Sequence, residues 1–211
     1  MSAQSQHNVK LSKSMSHLLR HSAPKEKQIT VRPGGYVAVA DILALPRFKH
    51  YSQDDILSVV SNNDKQRFSV TTDDRGEVLI RANQGHSFHI DEEELLEAIT
   101  NPEEFPVVIH GTYRRFWGSI QESGLCRKTR NHIHFAPGEP GSEGVISGMR
   151  NSVEIYIYIN LKLALQDGLK FFRSDNNVVL TPGNQNGILE PKYFEKVKDI
   201  KRGVILFPTA S

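Results

Sequence analysis

The sequence has almost no cysteine and no long hydrophobic run, and each absence excludes a class of protein. Cys126 is the only cysteine among 211 residues, so an intramolecular disulfide is impossible, as is common in a reducing compartment. No segment approaches the roughly 18 consecutive apolar residues of a membrane span. The N-terminus MSAQSQHNVK also lacks the apolar region of a signal peptide. We expect a soluble intracellular protein, cytoplasmic or nuclear, that binds no membrane.

An excess of charge of one sign is also missing. The 26 Lys and Arg against 24 Asp and Glu give a formal charge of only +2, so the total charge does not indicate nucleic-acid binding. A basic surface, if present, must be local. Hydrophobic residues make up 38% of the chain, which is enough to build a core, and the length suits one large domain or two small ones.

The first half of the chain predicts helices followed by a hairpin. Leu11, Met15, Leu18 and Leu19 have the spacing of one apolar helix face, which Arg20 and His21 close. The segment PGGYVAVADILALPRF predicts a turn, a short strand and a short helix that ends at Pro46. Two strands follow in RFSVTTDDRGEVLIRA. This order is that of a winged-helix module, many of which bind nucleic acid.

A second helix start is marked by Ser52. Asp55 follows it three residues later, which is the spacing of a capping box, although Glu is more usual than Asp at that position. Ile56, Val59 and Val60 then supply a buried face. The sequence therefore predicts a helix that begins just after Ser52.

The second half predicts more strand than helix. Strands are indicated at VVIHGT, HIHFA, SVEIYIYIN and GVILFP, a hairpin at KFFRSDNNVVLTPG, and short helices at FWGSIQESG and LKLALQDG. Together these elements predict an α+β fold with a split, mainly antiparallel sheet. The Pro- and Glu-rich segment TNPEEFP separates the halves, so we expect domains at residues 1–101 and 102–211.

The segment TRNHIHFAPG concentrates residues that could carry chemistry. His132 and His134 are two apart on a predicted strand, so both imidazoles should share a face, which Arg130 joins if the strand extends that far. A metal site would need a third ligand such as His110, but no carboxylate or further histidine has a recognisable spacing. Phosphate suits the planar fork of arginine better. Metal, phosphate and plain packing remain open at this point.

Other motifs allow fewer readings. His110, Gly111 and Thr112 follow an apolar strand, where a glycine allows a ligand to approach the backbone. A two-histidine phosphoesterase would need a second H-x-[T/S] motif, which HSF does not supply, and no GxGxxG opens a helix after a strand. Cys126 has basic neighbours that could activate it as a nucleophile, and this alternative also stays open.

The motifs LLRH, KQRF, IRANQGHS, VIHGT, RNHIH, ISGMR, FFRS and LTPGN resemble, in order, those of the tRNA 2′-phosphotransferase family over roughly residues 10–195. The resemblance implies a winged-helix RNA-binding lobe followed by an ADP-ribosyltransferase-like lobe that binds NAD. It implies that an internal RNA 2′-phosphate at a tRNA splice junction attacks NAD and expels nicotinamide, giving 2′-phospho-ADP-ribosylated RNA. Attack of O2″ on phosphorus then yields 2′-OH RNA and ADP-ribose 1″,2″-cyclic phosphate.

The resemblance also implies the residues that act. The catalytic set is Arg20, His21, Arg67 and Arg130. The RNA phosphates are contacted by Arg20, His21, Lys65, Arg67, Gln84 and His86. The NAD side consists of His110, Gly111, Thr112, Ser119, Arg130, His132, Gly148 and Arg150. NAD is a co-substrate, no metal is expected, and the partners are NAD and RNA with an internal 2′-phosphate, such as a spliced tRNA, bound by a monomer.

Two other functions stay open on the sequence alone. One is an ADP-ribosyltransferase that modifies a phosphate end of nucleic acid, or a protein, and stops after the first step. The other is a non-catalytic RNA-binding winged helix with a degenerate ligand domain. The nature of the product separates both from the leading hypothesis.

Overall fold

The fold is described from a computed structural model, which covers residues 3–90, 96–142, 145 and 148–208. The chain divides into two compact units, Met1–Leu95 and Leu96–Ser211. This division lies a few residues before the predicted boundary at 101/102. The reason is strand β4 (Leu96–Ala98), which pairs with a strand of the second unit and therefore belongs to it.

The first unit packs three helices against a small sheet. Its elements are α1 (Ala3–His17), a π-helical turn (Leu18–Ser22), β1 (Val37–Ala38), α2 (Val39–Ala44), α3 (Gln53–Ser61), β2 (Phe68–Thr72) and β3 (Val78–Ala82). The strands lie in the order β1-β3-β2, and both pairings are antiparallel. The predicted hairpin is confirmed, with Val70 opposite Ile80.

The apolar face predicted for α1 forms the centre of this unit's core. Leu11, Met15, Leu18 and Leu19 are all fully buried. They belong to one cluster with residues from every other element of the unit, among them Val37, Ile42, Ile56, Phe68 and Ile80. Burial of each such side chain contributes roughly 1.5–3 kcal/mol. The core therefore anchors the segment that immediately precedes Arg20 and His21.

The second unit contains short strands around small helices. Its elements are β4, β5 (Ile109–Thr112), α4 (Arg114–Ser123), β6 (Leu125–Cys126), β7 (Ile133–Phe135), β8 (Ile155–Ile159), α5 (Leu161–Gln166), β9 (Phe172–Ser174), β10 (Val179–Thr181), β11 (Ile188–Leu189), β12 (Phe194–Asp199) and β13 (Val204–Phe207). The sheets have the orders β4-β9-β10-β7 and β13-β12-β8-β5, with β11 and β6 as a separate pair. The predicted α+β class is confirmed.

One contact joins the two larger sheets beside the candidate site. Ile109 at the start of β5 exchanges two backbone hydrogen bonds of 2.9 Å with Ala136, just after β7. Below this junction, Phe135, Ile155, Ile157 and Val179 lie in one buried cluster. The bridge therefore places the HGT segment of β5 beside the HIH segment that leads into β7.

Two details of the sequence prediction were wrong. The strand at HIHFA begins at Ile133, so Arg130 and His132 precede it and Arg130 does not share its face. The chain instead turns there, and the Arg130 N–H donates to the Arg127 carbonyl at 3.2 Å. Helix α2 ends at Ala44, because Leu45 precedes Pro46 and is extended, with φ −71° and ψ 136°.

Among the residues that the structure describes, no helix is long and apolar enough to cross a membrane.

We expect Ser52→Ala to lower the free energy of unfolding by about 1 kcal/mol, since it removes the cap of α3. The Ser52 hydroxyl accepts from the Asp55 N–H at 3.1 Å, and the Asp55 carboxylate accepts from the Ser52 N–H at 2.8 Å. The Ser52 N–H, and the Ser52 hydroxyl that also donates to the carboxylate at 2.9 Å, lower the pKa of Asp55, so their stabilisation is present above its unfolded pKa and is lost as pH falls. Urea unfolding at pH 7 and pH 3 measures both effects.

Ser52→Thr is the matched control, because threonine keeps the accepting hydroxyl. It should unfold nearly as wild type at pH 7. A Ser52→Ala variant that matches wild type at pH 7, or a deficit equally large at pH 3, would contradict the assignment.

Candidate functional site

Arg20 and His21 are presented by the π-helical turn that follows α1. The turn spans Leu18–Ser22, a rare geometry that is frequent at functional sites. His21 Nδ1 lies 3.0 Å from the Ser87 hydroxyl, and the Ser87 N–H donates to the Arg20 carbonyl at 2.9 Å. The loop after β3 is therefore tied to the π-helical turn. This loop also carries Gln84 and His86, and His86 is buried beside Phe88.

Arg67 lies on a strained turn held by the side chain of Asn63. Gln66 has φ +43°, in the left-handed region that a non-glycine residue rarely adopts. The Asn63 Oδ1 accepts from the Lys65 N–H at 3.2 Å, the Arg67 N–H at 3.3 Å and the Arg67 Nη1 at 3.2 Å. One neutral oxygen therefore fixes both the turn and the guanidinium that follows it.

Asn83 supports the same turn from the other side. Its Nδ2 donates to the Gln66 carbonyl at 2.8 Å, and its backbone N–H donates to the Arg67 carbonyl at 2.9 Å. The Ser69 hydroxyl donates to its Oδ1 at 2.6 Å. Asn83 is only 4% exposed, so these bonds are shielded from water. The strain at Gln66 is thus compensated by two asparagines, which the sequence analysis did not single out.

Arg20, Lys65 and Arg67 line a single groove of about 770 Å³ within the first unit. Partial burial, with a smaller contribution from repulsion by Arg67, lowers the pKa of Lys65. Partial burial also lowers the pKa of Arg67, against a smaller raising effect of Asp64. Like charges are therefore close together here, as an anion-binding site requires. Gln84 and His86 are not among the residues that line the groove. Its lining consists of Asn8, Val9, Ser12, Lys13, Ser16, Arg20, Val59, Asn62, Asn63, Asp64, Lys65 and Arg67.

His110 lies in a second, smaller pocket of about 260 Å³ in the second unit. Its Nδ1 lies 2.9 Å from the His134 carbonyl, and since a carbonyl only accepts, Nδ1 must carry the proton and leave Nε2 as an acceptor. Burial, with repulsion from Arg130, lowers the pKa of His110. Thr112 and Ser119 line the same pocket, as do Phe116 and Cys126. The structure therefore brings three of the predicted residues together.

Arg130 is exposed on the turn before β7 and is within electrostatic range of His110 and Arg150. The Arg127 guanidinium donates to the Arg130 carbonyl at 2.9 Å, which fixes the turn. Partial desolvation, then repulsion from Arg150, lowers the pKa of Arg130, although an arginine stays protonated at neutral pH. The hydrogen bond with Ser152, together with the nearby charge of Arg150, lowers the pKa of Tyr113. Arg130 thus contributes a fixed positive charge near His110, and Arg150 adds a second positive charge near Arg130.

His132 and His134 are both buried. Burial, with repulsion from Arg127, lowers the pKa of His132 to about 4. Its ring packs edge-on to Phe172 at 5.9 Å between centroids. No group of three His, Cys, Asp or Glu residues that could hold a metal lies within the described part of the chain. The packing of His132 on Phe172 and the hydrogen bond between the His134 carbonyl and His110 therefore account for this pair as well as ligand binding does.

Gly111 and Gly148 allow one loop to pack closely on the sheets. Gly148 has φ +111°, and a Cβ there would come within 2.7 Å of the Ala136 backbone. A Cβ on Gly111 would meet Met149 and Val153 at 3.0 Å. Both glycines thus seat the segment that carries Arg150. Ile146 and Ser147 of the ISGMR motif lie outside the described residues.

Several residues at the two sites were not anticipated from the sequence. Phe116 lines the second pocket beside Cys126, and Asn63 and Asn83 hold Arg67 and its turn, whereas Cys126 itself was considered as a nucleophile. The only advance signal for Asn63 is its place in SNND, since asparagine often bonds to backbone groups in turns. Asn83 belongs to the motif IRANQGHS, but its supporting role could not be read from the sequence, because its partners lie in a distant turn.

A family model and curated proteins both match the chain over most of its length. The family model described as "RNA 2'-phosphotransferase, Tpt1 / KptA family" matches residues 6–183. The tRNA 2′-phosphotransferase 1 of Danio rerio is 46% identical over 198 residues, covering 92% of this chain and 87% of the relative. The human protein of the same name is 45% identical over 195 residues, covering 92% and 77%. The Saccharomyces cerevisiae tRNA 2′-phosphotransferase is 42% identical over 181 residues, covering 82% and 78%.

We expect His132 to remain uncharged down to about pH 5, since burial lowers its pKa to about 4. Its unfolded pKa is about 6.5, so the unfolded state binds more protons between these values and stability falls as pH drops through that window. NMR titration of the histidine ring protons measures the pKa, with His132→Gln identifying the resonance. A midpoint near pH 6.5 in the folded protein would contradict the burial argument.

We expect Asn83→Ala to lower the free energy of unfolding by about 1–3 kcal/mol, because it removes the partners of the Gln66 carbonyl and the Ser69 hydroxyl. Urea unfolding measures the loss. Asn62→Ala is the control, since the exposed Asn62 side chain bonds only within its own helix end and should cost less than about 0.5 kcal/mol. Equal losses of unfolding free energy in the two variants would show that the buried hydrogen bonds of Asn83 stabilise the fold no more than the exposed ones of Asn62.

Proposed function

Because the chain belongs to the RNA 2′-phosphotransferase, Tpt1/KptA family, we propose that this phosphotransferase moves the internal 2′-phosphate of a spliced tRNA to NAD. The products are 2′-OH RNA, nicotinamide and ADP-ribose 1″,2″-cyclic phosphate. The observation that carries the assignment to particular residues is the shared groove of Arg20, Lys65 and Arg67.

The first unit is proposed to be a winged-helix lobe that binds RNA. Its order of three helices followed by the hairpin β2–β3, with β1 on the other side of β3, supports this interpretation. The second unit is proposed to be an ADP-ribosyltransferase-like lobe that binds NAD, and its paired antiparallel sheets support that. We place the boundary between the lobes at 95/96 rather than at 101/102.

The RNA phosphate is assigned to the cationic groove. A phosphate dianion is already nucleophilic, so it requires positioning and partial neutralisation rather than a general base. Arg20 and Arg67 supply fixed charge with a planar donor fork, and Lys65 adds a compact third charge. His21, held by Ser87, donates from its other ring nitrogen to a phosphate oxygen. Gln84 and His86 are proposed to contact RNA from the loop that carries Ser87.

The donor set of the second pocket fits the ribose and pyrophosphate of NAD. His110 offers an acceptor at Nε2, Thr112 and Ser119 offer hydroxyl groups, and Arg130 and Arg150 offer charge for phosphates. A volume of about 260 Å³ is below that of pockets that enclose a drug-sized ligand, so the pocket would hold one end of the dinucleotide. When bound, NAD supplies an electrophilic C1″ and then the O2″ hydroxyl.

The remaining roles follow from the chemistry of these side chains. Arg130 cannot accept a proton at neutral pH, so it stabilises charge and orients the ligand. The Nε2 atom of neutral His110 would accept a hydrogen bond from a ribose hydroxyl and thereby orient the sugar. Gly111 and Gly148 keep the segment of Arg150 close to the pocket, and His132 is proposed to contact NAD from the turn before β7.

The proposed reaction is tested with a short RNA that bears one internal 2′-phosphate, incubated with and without NAD in the presence of EDTA. We expect loss of the 2′-phosphate only with NAD, together with nicotinamide and cyclic phosphate. An ADP-ribosylated RNA that accumulates would show that the protein stops after the first step. Loss of phosphate without NAD would overturn the assignment of the co-substrate.

The residue assignment is tested with Arg67→Ala, which should lower kcat/KM by about 100-fold or more, as removal of a preorganised donor does elsewhere. Arg67→Lys should recover part of the loss, since it restores charge without the fork. The matched control is Arg75→Ala, at an exposed position in the hairpin turn. Activity close to wild type in Arg67→Ala would contradict the phosphate-binding role.

A further inference from the structure

The cationic groove continues along α1 beyond the residues assigned to the 2′-phosphate. Asn8, Ser12 and Ser16 repeat every four residues, and Val9 and Lys13 lie on the adjoining strip of the same helix face. Leu11 and Met15 point instead into the core. The groove therefore has one wall made of a continuous helix face, which the assigned reaction does not use.

This wall is too long for a single phosphate group. The nine residues from Asn8 to Ser16 span eight steps and rise by about 12 Å, at about 1.5 Å per residue. The groove volume of about 770 Å³ lies within the range of roughly 300–1,000 Å³ that encloses drug-sized ligands. A phosphate held by Arg20, Lys65 and Arg67 leaves the part beside Asn8 and Val9 for something else.

The chemistry of the wall suits a single strand of RNA. Amide and hydroxyl groups can bond to 2′-hydroxyls and base edges, and the exposed Val9 offers an apolar contact to a base. Lys13 is the cation that α1 itself contributes to the lining. Its ammonium group suits a backbone phosphate of a nucleotide next to the one that carries the 2′-phosphate. An acidic peptide would require more cations than this wall contains. Asn63 Nδ2 donates to the Ser12 hydroxyl at 3.4 Å and connects the wall to the Arg67 turn.

We propose that the nucleotides on one side of the 2′-phosphate lie along α1 and that Lys13 contacts a backbone phosphate of this flank. The inference rests on the proposed function, since it takes the cationic end of the groove as the 2′-phosphate site. It makes Lys13 a residue that determines how much flanking RNA the protein recognises.

The test compares binding of three RNAs in the absence of NAD, so that no turnover occurs. One is a dinucleotide with an internal 2′-phosphate, and the others extend it by four nucleotides on the 5′ or the 3′ side. Lys13→Ala should weaken binding of one extended RNA by about three- to fivefold, which is typical of one exposed ionic contact. The slope of log binding constant against log salt for that RNA should fall by about 0.7, as expected for one contact to a single strand.

Lys10→Ala is the matched control, because Lys10 is an exposed lysine on the same helix that does not line the groove. It should bind all three RNAs as wild type does and keep the wild-type salt slope. The proposal is overturned if Lys13→Ala and Lys10→Ala behave alike, or if neither extension strengthens binding to wild type. Failure of the proposed reaction is distinguishable, because it would appear as missing NAD-dependent turnover in wild type whatever the binding results.

Discussion

Positive side chains must be held close together here without losing the charge that makes them useful. An arginine is most simply fixed by a carboxylate, but that pairing would neutralise it and compete with a phosphate. Arg67 is fixed instead by the neutral amide oxygen of Asn63, which also accepts from the backbone of its turn. Arg67 is thus positioned by a neutral group, and its charge stays available for the phosphate that we propose it binds.

The second unit uses the same device with backbone oxygens. Arg127 donates to the carbonyl of Arg130, and His110 donates to the carbonyl of His134. By contrast, arginines away from the candidate sites are paired with acids: Arg114 with the buried Asp199, and Arg32 with Asp73. Arg67 and Arg127 are thus positioned by neutral oxygens, whereas Arg114 and Arg32 are held by acids.

Local patterns predicted the elements whose causes are local. The capping box of Ser52, the hairpin β2–β3 and the buried face of α1 depend on residues a few positions apart, and all three are present. Strands β4 and β12 depend on partners far along the chain. The helix-forming LEA of β4 is extended because it pairs with β9, and β12 carries four charged residues yet joins β8 to β13. Neither could be found without those partners.

The candidate sites divide in the same way. The family resemblance implied Arg20, Lys65, Arg67, His110 and Ser119, and the structure places the first three in one groove and the last two in one pocket. The supports of these residues were hidden, because the role of Asn83 exists only once Gln66 has adopted a positive φ. The π-helical turn was hidden as well, since its sequence LLRHS continues an ordinary helical pattern.

The π-helical turn makes the direction of Arg20 and His21 depend on the number of residues that precede them in the turn. A π-helical turn closes its hydrogen bonds over one residue more than an α-helical turn does. Loss of Leu18 would shorten the turn by one residue and let α1 continue as a regular helix. Arg20 and His21 would then each move back by one position, which turns them by about 100° around the helix axis. A single-codon deletion there would thus redirect Arg20 relative to the groove that it lines without replacing any residue of the candidate site.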